Sequence, residues 1–165
     1  MLFVKSPSRM KGYFRDPHKT RQVVRDDYYV TGDLACIDED GFLHIKDRLS
    51  RFSKIAGEMV PHLKIEEAAS EVLEHALCFV TGVPDERRGE RLIMLHTSND
   101  VTAAQIIEKL NEAELPALWI PKRDQIFLVD EIPMLGTGKL DLGKARALAI
   151  AKSSEAPAAT SLQSA

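Results

Sequence analysis

Residues 61–97, PHLKIEEAASEVLEHALCFVTGVPDERRGERLIMLHT, combine one helical pattern with two strand patterns. Within 61–73, the apolar residues Ile65, Ala68, Ala69 and Val72 share one helix face, which predicts an amphipathic helix. Residues 76–83 form a continuous apolar run typical of a central strand. After a charged turn at 84–90, residues 91–97 form the next strand. This order predicts a helix packed on a sheet.

The chain continues with the same alternation downstream. Thr102 and Gln105 fit a capping box, and apolar residues at helical spacing follow them. Residues 125–129 read as a strand, and a glycine-containing loop at 133–139 precedes a last helix over 141–151. Upstream, residues 52–56 read as a strand that ends at Gly57. The pattern predicts an α+β domain over 50–152, with about three strands and packed helices. The Ser-, Ala- and Thr-rich tail, 153–165, is predicted to be disordered.

The first 49 residues carry a different pattern. Residues 1–5 suggest a strand, and Asp16 before Pro17 suggests the start of a short helix over 17–24. Apolar segments at 34–37 and 42–46 flank Asp38-Glu39-Asp40-Gly41, which predicts a hairpin because Asp-Gly favours a tight turn. A domain boundary is expected after residue 49, where the hairpin ends.

Composition excludes several classes of function. With 22 basic and 25 acidic residues, the net charge of -3 argues against a nucleic-acid-binding protein. No apolar run approaches the roughly 20 residues of a membrane-spanning helix, and no targeting segment is recognised. The two cysteines form no CxxC pair, and the five histidines form no metal-binding motif. A reduced, cytoplasmic protein without a metal site is expected.

The loop from Pro133 to Lys139, PMLGTGK, is the first candidate for chemistry. Gly136, Thr137 and Gly138 allow the backbone to bend closely around an anion, and Lys139 supplies a mobile positive charge. A Walker A motif is excluded, because Pro133 occupies the place of its first glycine and Leu140 follows the lysine. The alternative is a strand-to-helix turn with a solvated lysine.

Two further candidates lie on either side of the hairpin. Thr31-Gly32-Asp33 places a carboxylate that can accept two hydrogen bonds from vicinal hydroxyls, as on a ribose. Arg48, after Asp47, can hold a ribose oxygen or a phosphate. The alternatives are an ordinary turn aspartate and a surface ion pair.

The order of these motifs resembles the adenylate-forming, AMP-binding superfamily. Thr-Gly-Asp, a hairpin with Asp-Gly-Phe, Asp47-Arg48, KIAGE at 54–58 and the distant Gly138-Lys139 follow one another as they do there. The segment RFSKIAGEMV at 51–60 and the loop at 133–139 most resemble bacterial acyl-acyl-carrier-protein synthetases. In that group the activity is often fused to a 2-acylglycerophosphoethanolamine acyltransferase.

The resemblance implies a role for each motif. Asp33 would hold both ribose hydroxyls of ATP, Arg48 would add a ribose contact, and Lys139 would reach the α-phosphate and the attacking carboxylate. The mobile domain would rotate at Ser50 between the two half-reactions and bring the Gly57 strand to the thiol channel. At this hinge most members of the superfamily have Asp or Lys, whereas this sequence has Ser50. Many members also have glycine where this sequence has Asp47.

The resemblance also implies the partners. The chain would be the C-terminal fragment of a fatty-acid-activating ligase: residues 1–49 would end the large domain and 50–152 would be the mobile lid. The full enzyme would use ATP and Mg²⁺, with CoA or acyl carrier protein as the thiol acceptor and a possible place at a membrane. The fragment is expected to be inactive without the large domain and to bind no cofactor itself. The alternative is a carrier-protein-binding module that uses basic side chains such as Arg51, Lys54, Lys64, Arg87 and Arg88.

Overall fold

The computed structural model describes residues 1–74 and 76–155, which divide into two compact units. The first unit is Met1–Arg51, and the second begins at Phe52. The division falls close to the boundary expected after residue 49.

The first unit contains one short helix and five strands among the residues described. They are β1 (Phe3–Val4), α1 (Pro17–Val23), β2 (Val24–Arg25), β3 (Tyr28–Val30), β4 (Asp33–Ile37) and β5 (Leu43–Arg48). The side chain of Asp16 accepts a hydrogen bond from the backbone N–H of Lys19, and Pro17 opens α1, as predicted. β3 pairs antiparallel with both β1 and β2.

The predicted hairpin is present as β4 and β5. The two strands pair antiparallel, and the register shifts once, between Leu34 and Ala35. The carboxylate of Asp38 accepts hydrogen bonds from the backbone N–H groups of Asp40 and Phe42. Gly41 takes a φ of 87°, which a residue with a side chain adopts only with strain. The Asp-Gly pair therefore closes the turn for the reason that the sequence indicated.

The second unit contains a sheet, a separate hairpin and three helices in its described part. Its elements are β6 (Phe52–Ile55), β7 (Glu58–Pro61), α2 (His62–Leu73), β8 (Cys78–Asp85), β9 (Gly89–His96), α3 (Ala103–Glu112), β10 (Ile126–Leu128) and α4 (Leu142–Glu155). The sheet has the order β10-β9-β8, and the predicted three-stranded α+β fold is confirmed. β9 runs antiparallel to β8 and parallel to β10.

Alternate residues of the sheet supply two hydrophobic cores. Val80, Leu92 and Met94 pack with residues of α2 and α3 on one face. Phe79, Ile93 and Leu95 pack with residues of α4 on the other face. Each such fully buried aliphatic or aromatic side chain contributes about 1.5–3 kcal/mol to folding. The continuous apolar runs of β8 and β9 follow from this burial on both faces.

Helix boundaries largely follow the sequence pattern. Thr102 and Gln105 form the predicted capping box at the start of α3. None of the described helices is long and apolar enough to cross a membrane. The prediction of a disordered tail from residue 153 was wrong at its start, because α4 continues to Glu155. Residues 156–165 of that tail lie outside the described residues.

Candidate functional site

Asp33 and Arg48 form an ion pair at the open end of the first unit's hairpin. They are directly opposite each other in the pairing of β4 with β5. The Nε atom of Arg48 lies 3.1 Å from Oδ1 of Asp33, and 64% of the arginine side chain is exposed. The structure therefore brings these two predicted site residues together, with the guanidinium largely accessible from solvent.

The backbone around Asp33 is tightly held. The side chain of Thr31 accepts a hydrogen bond from the N–H of Asp33 and donates one to the carbonyl of Leu2. The carbonyl of Asp33 accepts from the N–H of Leu2 at 2.8 Å. Thr31 thus fixes the loop that presents the Asp33 carboxylate, and these hydrogen bonds explain the threonine of the Thr-Gly-Asp motif.

Tyr29 is an aromatic neighbour of this pair. A hydrogen bond with Tyr13, and then burial, raise the pKa of the Tyr29 phenol above its ordinary value. The charges of Arg48 and Asp33 also act on this phenol, in opposite directions. The phenol therefore stays protonated at neutral pH and can donate a hydrogen bond.

Ser50, the predicted hinge, lies in a 3₁₀ turn formed by Leu49–Arg51. The N–H of Leu49 donates to the carbonyl of Gly32 at 2.8 Å, which ties the turn to the Asp33 loop. Ser50 is exposed, whereas Arg51 is only 9% exposed. The proposal that Arg51 contacts a carrier protein from the surface was therefore wrong, because its side chain is buried.

Gly57 lies at the tip of the hairpin formed by β6 and β7. Ile55 pairs with Glu58, so Ala56 and Gly57 form a two-residue turn. Their φ angles are 50° and 91°, both in the left-handed region. A Cβ added to Gly57 would meet nothing within 4 Å. The glycine is thus required here by backbone conformation, and its open side is free to meet another molecule.

Three contacts hold this hairpin on its own unit. The N–H of Ala56 donates to the carbonyl of Arg88 at 2.9 Å. The N–H of Lys54 donates to Oε2 of Glu90 at 2.7 Å. On β7, the side chain of Glu58 accepts a hydrogen bond from the indole Nε1 of Trp119 at 2.9 Å.

Sequence reasoning missed the contact between Glu58 and Trp119. The two residues are 61 positions apart, so no local pattern links them. The only available signal was the unusual position of a tryptophan between Pro116 and Pro121 in a connector.

Lys139 stands at the end of an exposed glycine turn. The N–H of Gly138 donates to the carbonyl of Leu135 at 2.9 Å, and the N–H of Leu135 donates to the carbonyl of Lys139 at 2.7 Å. Gly138 has a φ of 77°, while Gly136 and Thr137 are exposed at the tip. Lys139 is exposed, and in the described part of the chain its ammonium forms no ion pair. The backbone amides of Leu135 and Gly138 are used within the turn, and the exposed lysine side chain can bind an anion.

The same turn leads directly into α4. The N–H of Asp141 donates to the carbonyl of Pro133 at 2.9 Å. Asp141 then caps the helix, because its carboxylate accepts from the N–H of Lys144. Lys139 is therefore mobile at its ammonium but fixed at its backbone.

No group of three or more His, Cys, Asp or Glu side chains that could hold a metal ion occurs among the residues described. Asp33 can supply oxygen acceptors for hydroxyl groups, but it stands with an arginine rather than with further carboxylates.

Comparisons with known proteins agree with this geometry. Residues 64–139 match the model of the family described as AMP-binding enzyme C-terminal domain, a match that ends at Lys139. The chain is 36% identical over 144 residues to a 2-succinylbenzoate–CoA ligase of Geobacillus sp., covering 84% of this chain and 28% of that protein. It is 35% identical over 144 residues to a long-chain-fatty-acid–CoA ligase of Yersinia pestis, covering 84% of this chain and 25% of that protein.

A solved structure shows the same fold. The o-succinylbenzoate CoA synthetase of Bacillus subtilis, in complex with an acyl-adenylate intermediate, superposes with a TM-score of 0.70 at 26% identity. The match covers 86% of this chain and 29% of that one. The chain thus spans between a quarter and a third of the length of the proteins that it matches.

The α+β fold of this chain is also found in that solved CoA synthetase. More particularly, residues 64–139 belong to the AMP-binding enzyme C-terminal domain family of the adenylate-forming superfamily, and relatives of the chain are named as CoA ligases.

Proposed function

We propose that this chain is the C-terminal part of an AMP-forming ligase that activates a fatty acid and transfers it to a pantetheine thiol. In the first half-reaction, the carboxylate attacks the α-phosphorus of ATP, and an acyl-adenylate and pyrophosphate are formed. In the second, the thiol attacks the acyl carbon, and AMP leaves. The resemblance of the chain to a long-chain-fatty-acid–CoA ligase supports a fatty acid as the substrate.

Asp33 and Arg48 are proposed to bind the ribose. The Asp33 carboxylate can accept hydrogen bonds from both ribose hydroxyls, and the Arg48 guanidinium, 3.1 Å away, can donate to a ribose oxygen. Their opposition across two paired strands means that both groups are positioned before the nucleotide binds. Binding to a preorganised pair costs little conformational entropy.

Lys139 is proposed to stabilise the adenylation transition state. Negative charge collects around the α-phosphorus as the carboxylate attacks, and a positioned ammonium stabilises that charge. The observation that carries the proposal is the exposed Lys139 ammonium, without an ion-pair partner in the described residues, at the end of the segment that matches the family. Mg²⁺ would accompany ATP, and we expect the large domain to provide its protein ligands.

For the second half-reaction, Gly57 is proposed to line the thiol path, with Ser50 as the hinge that brings it there. The open side of Gly57 supports this role, because a pantetheine arm can pass where no side chain stands. An acyl carrier protein is our preferred acceptor. We expect the full-length ligase to be cytoplasmic and fused to an acyltransferase. That acyltransferase would work at the membrane and use the acylated carrier protein. The CoA ligases among the relatives make CoA the competing acceptor.

The test is to assay the two half-reactions with the full-length protein. Fatty-acid-dependent exchange of pyrophosphate into ATP should be observed with the full-length protein and be absent with residues 1–165 alone. Transfer is then compared with CoA and with phosphopantetheinylated acyl carrier protein as acceptors. Failure of the full-length protein to exchange pyrophosphate with any carboxylic acid would reject the proposal.

A second candidate function is a carrier-protein-binding module without catalysis. Lys54, Arg87 and Arg88 are exposed, and the Arg88 carbonyl contacts the Gly57 hairpin, so these cations lie next to the proposed thiol path. An acidic carrier protein would bind them in a salt-dependent manner. Titration of labelled carrier protein into this chain at low and high salt tests the idea, and no salt-sensitive binding would remove it.

A further inference from the structure

The hairpin of β6 and β7 contains a strained backbone conformation that neighbouring structure must stabilise. Ala56 has a φ of 50°, a conformation that costs a residue with a side chain about 1–2 kcal/mol. Such conformations persist where neighbouring structure determines them. On the β6 side, that structure is the β8–β9 turn, through the Arg88 carbonyl and the Glu90 carboxylate.

On the β7 side, Trp119 provides the contact. The residue ends the 3₁₀ turn Ala117–Trp119, whose backbone is closed by a 2.8 Å hydrogen bond from Trp119 to the carbonyl of Pro116. Its ring is half-buried and packs against the core between α2, α3 and the sheet. Trp119 is therefore a rigid support, and its indole N–H reaches the carboxylate of Glu58, one residue after Gly57.

Ile55 and Val60 join the hairpin to the same core as Trp119, but packing is incomplete nearer the Gly57 turn. A cavity of about 290 Å³ lies between Ile55 of β6 and the 3₁₀ turn of the connector. Pairing with β6 and the buried Val60 hold the far end of β7, whereas the hydrogen bond from Trp119 reaches Glu58 at the exposed end beside the Gly57 turn. A hydrogen bond to a charged acceptor is also stronger than a neutral one.

We propose that Trp119 is a positioning residue for thiol transfer, and that it acts by holding Glu58 and thereby the Gly57 turn in the geometry that the thiol meets. This inference rests on the proposed function, because it concerns the same hairpin. It assigns a role in the second half-reaction only, since the contact supports the Gly57 turn and includes no residue of the Lys139 turn.

The experiment compares both half-reactions of the full-length ligase in four variants. Trp119→Phe keeps the ring and removes the N–H. Glu58→Ala removes the acceptor, whereas Glu58→Gln keeps an acceptor oxygen and removes the charge. The double variant Trp119→Phe with Glu58→Ala completes a cycle that measures coupling.

Trp119→Phe should leave pyrophosphate exchange within about twofold of wild type and slow transfer from enzyme-bound acyl-adenylate by about 10-fold or more. Glu58→Ala should do the same, Glu58→Gln should retain most transfer, and the double variant should be no slower than either single variant. In the isolated chain, the amides of residues 52–60 should exchange hydrogen faster in Trp119→Phe than in wild type.

Any of these results would overturn the inference: equal loss of both half-reactions in Trp119→Phe, additive losses in the double variant, or loss of transfer in Glu58→Gln as severe as in Glu58→Ala. The wild-type ligase is assayed first. Absence of adenylation there would reject the proposed function, whereas normal transfer by Trp119→Phe would reject this inference alone.

Discussion

The guanidinium of Arg48 lies 3.1 Å from the carboxylate of Asp33, on residues that face each other across β4 and β5. In the sequence they were two separate candidates for a nucleotide contact, with an ordinary turn aspartate and a surface ion pair as the alternatives. Because they lie opposite each other, the Asp33 carboxylate can accept hydrogen bonds from the same sugar to which the Arg48 guanidinium donates.

The first prediction concerns this pair. In the full-length ligase, Asp33→Asn should raise the KM for ATP by about 10-fold, because a charged acceptor of two ribose hydroxyls becomes a neutral amide. Asp40→Asn, in the exposed turn of the same hairpin, is the control and should leave KM unchanged. Steady-state kinetics of pyrophosphate release measures both. An unchanged KM in Asp33→Asn would remove the ribose role.

The second prediction separates conformation from function at Gly57. Gly57 and Gly41 have φ angles of 91° and 87°, and an added Cβ meets nothing within 4 Å at either position. Replacing either by Ala should therefore destabilise the folded chain by a similar amount, about 1–2 kcal/mol. Only Gly57→Ala should also slow thiol transfer in the full-length ligase, by about 10-fold. Equal transfer rates in the two variants would show that no ligand passes Gly57.

The third prediction concerns the packing of Gly82 in β8. A Cβ at this position would lie 2.0 Å from Oγ of Ser53, a side chain that is 1% exposed and hydrogen-bonded to His62. Gly82→Ala should lower the free energy of unfolding by about 1–3 kcal/mol, because the buried serine has little room to move. Gly136→Ala is the control, since its Cβ meets nothing within 4 Å. Urea unfolding of the isolated chain compares them, and equal stability of the two would contradict the packing.

The fourth prediction concerns pH and His96 at the end of β9. The ring is 3% exposed, its Nδ1 atom has no hydrogen-bond partner in the described part of the chain, and burial lowers its pKa. The folded state therefore favours the neutral imidazole, while the imidazole of the unfolded state binds a proton below its ordinary pKa of about 6.5. Stability should fall as pH drops below that value.

The comparison of variants isolates this effect. His96→Gln should reduce the loss of stability between about pH 7 and pH 5.5 by up to the free energy linked to the binding of one proton. Denaturant unfolding at several pH values gives the slopes. Parallel slopes for wild type and His96→Gln would show that His96 does not titrate differently on folding.

Much of the fold was predictable because its signals are local. Hydrophobic spacing predicted α2 and α3, the continuous apolar runs predicted β8 and β9, and Asp-Gly predicted the first hairpin. Strand β7 was missed because it has four residues, ends in Pro61 and buries only Val60, so it has no alternating pattern. The end of α4 was missed because Ser153 and Ser154 are common in loops, yet Ser153 accepts a hydrogen bond from the guanidinium of Arg91.

The residues of the candidate site likewise include some that local motifs predicted and some that they did not. Gly57, Gly138 and Asp33 could be proposed because each belongs to a short motif with its own conformational reason. The contact of Trp119 with Glu58 and the close approach of Ser53 to Gly82 join segments that are distant in the chain. Such contacts depend on tertiary packing, so no local sequence pattern identifies the two partners.

The role of Lys139 in adenylation is tested most directly by measuring the two half-reactions separately in the full-length ligase carrying Lys139→Ala. Lys144→Ala, an exposed lysine five positions further on in α4, is the matched control. The account predicts that Lys139→Ala slows pyrophosphate exchange by about 100-fold or more, while transfer from supplied acyl-adenylate stays within a few-fold of wild type. Equal loss of both half-reactions, or normal exchange, would contradict it.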